Sequence, residues 1–131
     1  MNFRYTILYV EDVRASLDFF HRAFGFDIAF LHESGDYGEL STGATKLACS
    51  STALMRQLGK HPQKPSLHAP AFELAFETED VTAALARAQT AGATLVQTER
   101  EMPWGQVIAY VGDPNGYLIE ICTPVQLPSP G

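Results

Sequence analysis

Residues 3-FRYTILYV-10 alternate loosely between apolar and polar positions and are rich in aromatic and β-branched side chains, which predicts a strand. Beyond Asp12, the residues Leu17, Phe20 and Phe24 recur at helical spacing. Asp12 fits the N-cap of that helix, because its carboxylate can accept from the open N–H groups of the first turn. Gly25 fits the stop, where a left-handed residue is needed. Three short apolar stretches follow at 26–33, 36–42 and 44–50, each read as a strand. The stretch 51–70 holds one short helix, Thr52 to Leu58, and then a linker broken by Pro62, Pro65 and Pro70. The order then recurs. A strand at 71-AFELAFET-78 is followed by a cap at Asp80, a helix to Ala91 and a stop at Gly92. Strands are predicted at 93-ATLVQTE-99, 105-GQVIAYVG-112 and 117-YLIEICT-123, and the Pro-rich end 124-PVQLPSPG-131 reads as extended.

The recurrence extends to residue identities. Glu11, Asp12, Val13, Ala15 and Leu17 return as Glu79, Asp80, Val81, Ala83 and Leu85 at an offset of 68, and Gly25 returns as Gly92 once one residue is dropped. Duplicated supersecondary units usually bury one another's apolar faces. Two copies do not make a solenoid, so the expected class is α+β, with two pseudo-symmetric βαβββ modules in one domain, 1–124. Module 1 covers about 3–50, a connector 51–70 and module 2 about 71–124, with an extended tail at 125–131.

Composition narrows the functional classes. A chain of 131 residues suits one domain, and 46% apolar with 18% charged residues is ordinary for a globular protein. No window approaches 18 uninterrupted apolar residues, which argues against a membrane span. The opening MNFRYTILYVED lacks the pattern of a signal peptide, and two cysteines are too few for a disulfide framework, so a cytoplasmic protein with reduced thiols is expected. The net charge of -6 argues against nucleic acid, whose binding needs a basic face.

Candidate chemistry starts at 113-DPNGYLIEIC-122, where Glu120 interrupts an apolar strand. Together with 10-VEDV-13, the helix stretch 19-FFHRAFGF-26 and the longer run 103-PWGQVIAYVGDPNGYLIEI-121, this segment resembles the vicinal oxygen chelate superfamily over residues 3 to 124. That superfamily includes glyoxalase I, extradiol dioxygenases, fosfomycin-resistance enzymes and bleomycin-resistance proteins. The resemblance implies two modules lying edge to edge, with curved mixed sheets forming a cleft, and a homodimer. In metal-binding members, a frequent ligand set is a His on the first strand of each module, seven residues before the capping Asp, plus a Glu on the last strand. Here those places carry Tyr5, Glu73 and Glu120, and the matching place in the first half, four residues after Gly43, is Leu47.

Zinc and nickel favour imidazole or thiolate ligands, which this set lacks. His21 lies in a helix, His32 near a strand end, and His61 and His68 in the connector, so a transition metal is not expected. The alternative is a hard ion, Mg²⁺, Mn²⁺ or Ca²⁺, on Glu73 and Glu120 with water. Without metal, two carboxylates facing one cleft would push one of them toward its neutral form. They would suit acid–base catalysis, which marks Glu120 and Glu73 as catalytic candidates. They would equally suit binding of an amine or hydroxyl, whereas a Glu73 at a strand edge would simply be solvated. Tyr5, Ile7 and Tyr9 share one face of the first strand if alternation holds, and Glu39 and Tyr110 are candidates to look inward. Trp104 is either an aromatic wall for a ligand or an anchor for its own loop. Cys49 and Cys122 read as small buried hydrophobes.

The expected function is binding of a small organic ligand in the cleft without a transition metal. The alternative is a glyoxalase-type lyase or isomerase using Glu120 and Glu73, with a dioxygenase less favoured. A regulatory domain without chemistry is the third reading.

Overall fold

A computed structural model describes residues 1–126. The chain divides into two compact units, Met1–Lys64 and the segment from Pro65 onward.

The first unit runs β1 (Tyr5–Val10), α1 (Val13–Phe24), β2 (Ile28–Leu31), β3 (Tyr37–Leu40), β4 (Lys46–Ser51) and α2 (Thr52–Gln57). Its strands form one sheet in the order β1-β4-β3-β2, with β1 parallel to β4 and the other pairs antiparallel. The second unit repeats the plan as β5 (Glu73–Glu77), α3 (Val81–Thr90), β6 (Thr94–Glu101), β7 (Val107–Gly112) and β8 (Leu118–Cys122). Its sheet runs β5-β8-β7-β6, again with the outer pair β5 and β8 parallel. The expected α+β class and the two βαβββ modules are therefore present. The strands are mostly trimmed at the loop ends, β6 runs on to Glu101, and α2 ends one residue early with Leu58 as its cap. Residues 123–126 carry no regular secondary structure, and 127–131 of the expected tail lie outside the described residues.

The helix boundaries follow from their caps. Asp12 accepts from Ala15 N and Asp80 from Ala83 N, both at 3.0 Å, satisfying donors that a helix start leaves open. Gly25 closes α1 at φ 79, a left-handed conformation that costs glycine little.

Each sheet buries one face under its helix. In the first unit Val13, Leu17 and Phe20 of α1 are buried together with Leu8, Val10, Leu40, Leu47 and Cys49. Gly38 on β3 shows how close this packing is, since a Cβ there would come within 2.4 Å of Leu17 Cδ1. In the second unit Val81, Leu85 and Ala88 are buried with Ala109, Val111, Ile119 and Ile121. Side chains alternate across a strand, so the residues between these positions occupy the opposite, open face. That open face carries the candidate chemistry.

Register corrects one expected equivalence. Tyr5 pairs with Lys46 and Ile7 with Ala48, while Glu73 pairs with Leu118 and Ala75 with Glu120. The counterpart of Glu120 in the first unit is therefore Ala48, not Leu47. The approach to β4 contains one more residue than the approach to β8, so counting from the glycine slips by one, and a slip of one turns a side chain to the other face. Leu47 is buried on the helix side.

Candidate functional site

The open face of the second sheet is built from alternating positions of three strands. Glu73 stands on β5, Glu120 on β8 diagonally across from it, and Tyr110 on β7 directly opposite Glu120. The Tyr110 hydroxyl donates to Glu120 Oε1 at 3.0 Å. Burial, the hydrogen bond to Glu120 and the charges of both glutamates push the Tyr110 phenol up to about 12, so it remains a neutral donor at physiological pH. Desolvation, followed by the charge of Glu120, raises Glu73 above its ordinary value of 4.5, and a hydrogen bond with Tyr110 partly counters that rise. Among the described residues, neither glutamate has an ion-pair partner.

Cys122 lies buried beside this group. Burial and then the charge of Glu120 push its thiol up to about 11, which keeps it protonated and unsuited to nucleophilic attack. Cys49 is also a buried free thiol.

The remaining candidates separate. Tyr5 and Ile7 lie on the open face of the first sheet, 43% and 45% exposed, together with Glu39. There the acid is compensated. Glu39 accepts from the Tyr37 hydroxyl at 2.7 Å and pairs with Lys46 Nζ at 3.3 Å. Burial and then Glu39 raise the Tyr37 phenol well above its ordinary value. Trp104 stands elsewhere in the second unit, 60% exposed, beside a cavity of about 310 Å³ that Glu79, Gln106, Thr123 and Gln126 also line. Its indole N–H donates to Gln106 Oε1 at 2.9 Å, and Gln106 Nε2 donates to Thr123 O at 2.8 Å, so the ring is held within its own loop.

One residue escaped the sequence reading. Gln97 on β6 pairs with Tyr110, which puts it on the open face beside the glutamates. Its Nε2 is buried and, among the described residues, has no hydrogen-bond partner.

A family model for the Glyoxalase/Bleomycin resistance protein/Dioxygenase superfamily matches residues 2–121. The chain belongs to that superfamily. Solved structures of this superfamily share the fold. A glyoxalase-related enzyme from Fulvimarina pelagi matches with a TM-score of 0.81 at 22% identity, over 95% of this chain and 88% of that one. A glyoxalase/bleomycin resistance protein/dioxygenase family enzyme from Burkholderia phytofirmans PsJN matches with a TM-score of 0.79 at 20% identity, over 96% of this chain and 100% of the other. A superfamily member from Sphaerobacter thermophilus DSM 20745 matches with a TM-score of 0.71 at 19% identity, over 95% and 98% of the two chains. No curated relative matches the chain.

The superfamily's metal chemistry can be tested against the donors present. The second unit offers two carboxylates, a phenol and an amide, and the first-strand position of the first unit carries Tyr5. Among the described residues, no group of three or more His, Cys, Asp or Glu side chains could hold a metal ion. An imidazole-ligated transition ion does not fit this set. Among the described residues, no helix is long and apolar enough to cross a membrane.

Proposed function

We propose that this superfamily member binds a small organic molecule on the open face of its second sheet, through Glu73, Glu120 and Tyr110, without a transition metal. The observation that carries the reading is an acidic pair with no ion-pair partner among the described residues, set in a sheet whose other face is apolar core. An acid left uncompensated and partly desolvated costs stability in the free protein. A ligand bearing an ammonium or hydroxyl group would relieve that cost by donating to both carboxylates. The hydroxyl of Tyr110 steers Glu120 by holding its Oε1.

The raised Glu73 favours a second reading, a lyase or isomerase in which Glu73 donates and Glu120 accepts a proton. A thermal-shift screen of amines and hydroxyl compounds, repeated on Glu120→Gln, tests the binding reading, since ligands that bind only the folded state raise its apparent stability. A set of stabilising compounds whose effect disappears in the variant supports it. Hits that are indifferent to Glu120 refute it. Proton exchange on a bound carbon acid, lost in Glu73→Gln, would favour the enzyme.

A further inference from the structure

Gln97 is the place where the second unit departs from its own economy. The amide is polar and its Nε2 is sealed from solvent, yet that nitrogen has no protein partner among the described residues. An unpaired buried donor destabilises a fold, so such groups are rare unless something else uses them. Its placement is also unusual. Leu95 pairs with Val111 on the helix side, whereas Gln97, only two residues on, pairs with Tyr110 on the open face. In a regular strand both would point the same way. A register irregularity between Leu95 and Gln97 turns the amide over, and a second lies between Gln97 and Arg100. Bulges of this kind commonly re-aim a side chain beside a site.

The first unit supplies an internal control. It has the same irregularity, between Ile28 and Phe30, and the residue turned onto the open face there is Phe30, opposite Glu39. The same backbone irregularity therefore accepts an apolar side chain in the first unit, and the bulge itself does not demand an amide.

We propose that Gln97 is a ligand-binding residue whose amide nitrogen, buried in the free protein, turns outward to donate to a carbonyl oxygen on the molecule held by Glu73 and Glu120. The inference rests on the acidic site described above and narrows its ligand class. The carboxylates take a protonated amine, and Gln97 takes a carbonyl on the same small molecule, as in an amino amide. Tyr110 stands between the two functions, its own hydroxyl committed to Glu120.

The test pairs two probes, glycinamide and propylamine, titrated into the full chain and followed by NMR. Propylamine has the cation without the carbonyl. Glycinamide should bind about tenfold more tightly, the worth of one good hydrogen bond. Gln97→Leu should reduce glycinamide to the level of propylamine and leave propylamine unchanged, while Glu120→Gln should weaken both. The free Gln97→Leu protein should also melt higher, by about 4 °C, because an unpaired donor has been removed. Equal binding of the two probes to the wild type, or a Gln97→Leu variant that keeps their difference, overturns the role of Gln97 while leaving the acidic site standing. A lowered melting temperature in that variant overturns it as well, since it would mean the amide is satisfied within the protein. If neither probe binds, or Glu120→Gln changes neither, the acidic site fails and this inference fails with it.

Discussion

Asp113 opens the turn 113-DPNG-116, and its carboxylate gathers that turn onto itself. Oδ1 accepts from Asn115 N at 3.1 Å, Gly116 N at 2.8 Å and Tyr117 N at 2.7 Å, while Oδ2 accepts from Asn115 Nδ2 at 2.8 Å. The residue is 3% exposed. Consider Asp113→Ala. Three backbone donors lose their acceptor, but not equally. Gly116 N keeps the Asp113 carbonyl at 3.1 Å, and Asn115 is only half-buried and can turn to water. The amide of Tyr117 belongs to a buried residue and makes the shortest of the three bonds, at 2.7 Å. Loss of that bond in the interior costs about 1–3 kcal/mol, and loss of the charged acceptor for the other two adds about 1 kcal/mol. Against this, the substitution removes a carboxylate whose desolvation outweighs its hydrogen bonds, since burial raises Asp113 above its ordinary value of 3.8. The net expectation is a loss of about 2–3 kcal/mol, or roughly 10 °C in Tm for a chain of this size. Asp113→Asn is the decisive companion. Its amide oxygen can replace Oδ1 for all three backbone donors, and only the contact with Asn115 Nδ2 must rearrange, so it should cost about 1 kcal/mol or less. Urea unfolding at neutral pH reads both variants. Equal costs for alanine and asparagine, or an alanine variant within about 0.5 kcal/mol of wild type, would refute the view that Oδ1 organises the turn.

Three further outcomes follow from the same geometry. Glu73 holds its proton more tightly in the folded protein than in the unfolded chain, so its contribution to stability falls as pH rises above about 4.5. Glu73→Gln should therefore be more stable than wild type at neutral pH and converge with it in acid, as thermal melts across pH would show. Tyrosinate absorbance should show Tyr110 ionising only near pH 12, and Glu120→Gln should bring that titration down because the carboxylate both accepts its proton and repels its anion. Gly38→Ala should cost about 1–3 kcal/mol in chemical denaturation, since the new methyl meets Leu17 Cδ1 at 2.4 Å and Phe30 O at 3.1 Å in a packed core.

The architecture was legible because it is written twice and locally. The cap residues Asp12 and Asp80, the stop at Gly25 and the period of Leu17, Phe20 and Phe24 act within one turn of the positions they specify. Register is different. It depends on how many residues each loop consumes, and one extra residue before β4 moved the counterpart of Glu120 from Leu47 to Ala48. For the same reason Gln97 could not be found by alternation. Its neighbours Leu95 and Val96 break the period, and only the pairing of β6 with β7 shows which way the amide turns. The superfamily resemblance points to Glu73 and Glu120, Tyr110 is an inward-facing candidate beside them, and the three share one face. Tyr5, Ile7 and Glu39 share another face in the first unit, and Trp104 belongs to a separate cavity.

Duplication makes the polar residues of the second unit interpretable, because the first unit shows what the same framework does without them. At equivalent positions the first unit carries Tyr5, Ala48, Glu39 and Phe30, and the second Glu73, Glu120, Tyr110 and Gln97. Both faces include an acid bonded to a tyrosine, but the first adds Lys46 at the place where the second has Leu118. A carboxylate with a tyrosine and a lysine is a closed set, satisfied by the protein itself. Two carboxylates, one phenol and an amide whose nitrogen has no partner among the described residues are not, and leaving them so lowers the stability of the free protein. The first sheet takes the same strand order with alanine, phenylalanine and a balancing lysine at these places, so the topology itself does not require that arrangement. The ligand proposed above, with donors for the carboxylates and an acceptor for the amide, would complete that set.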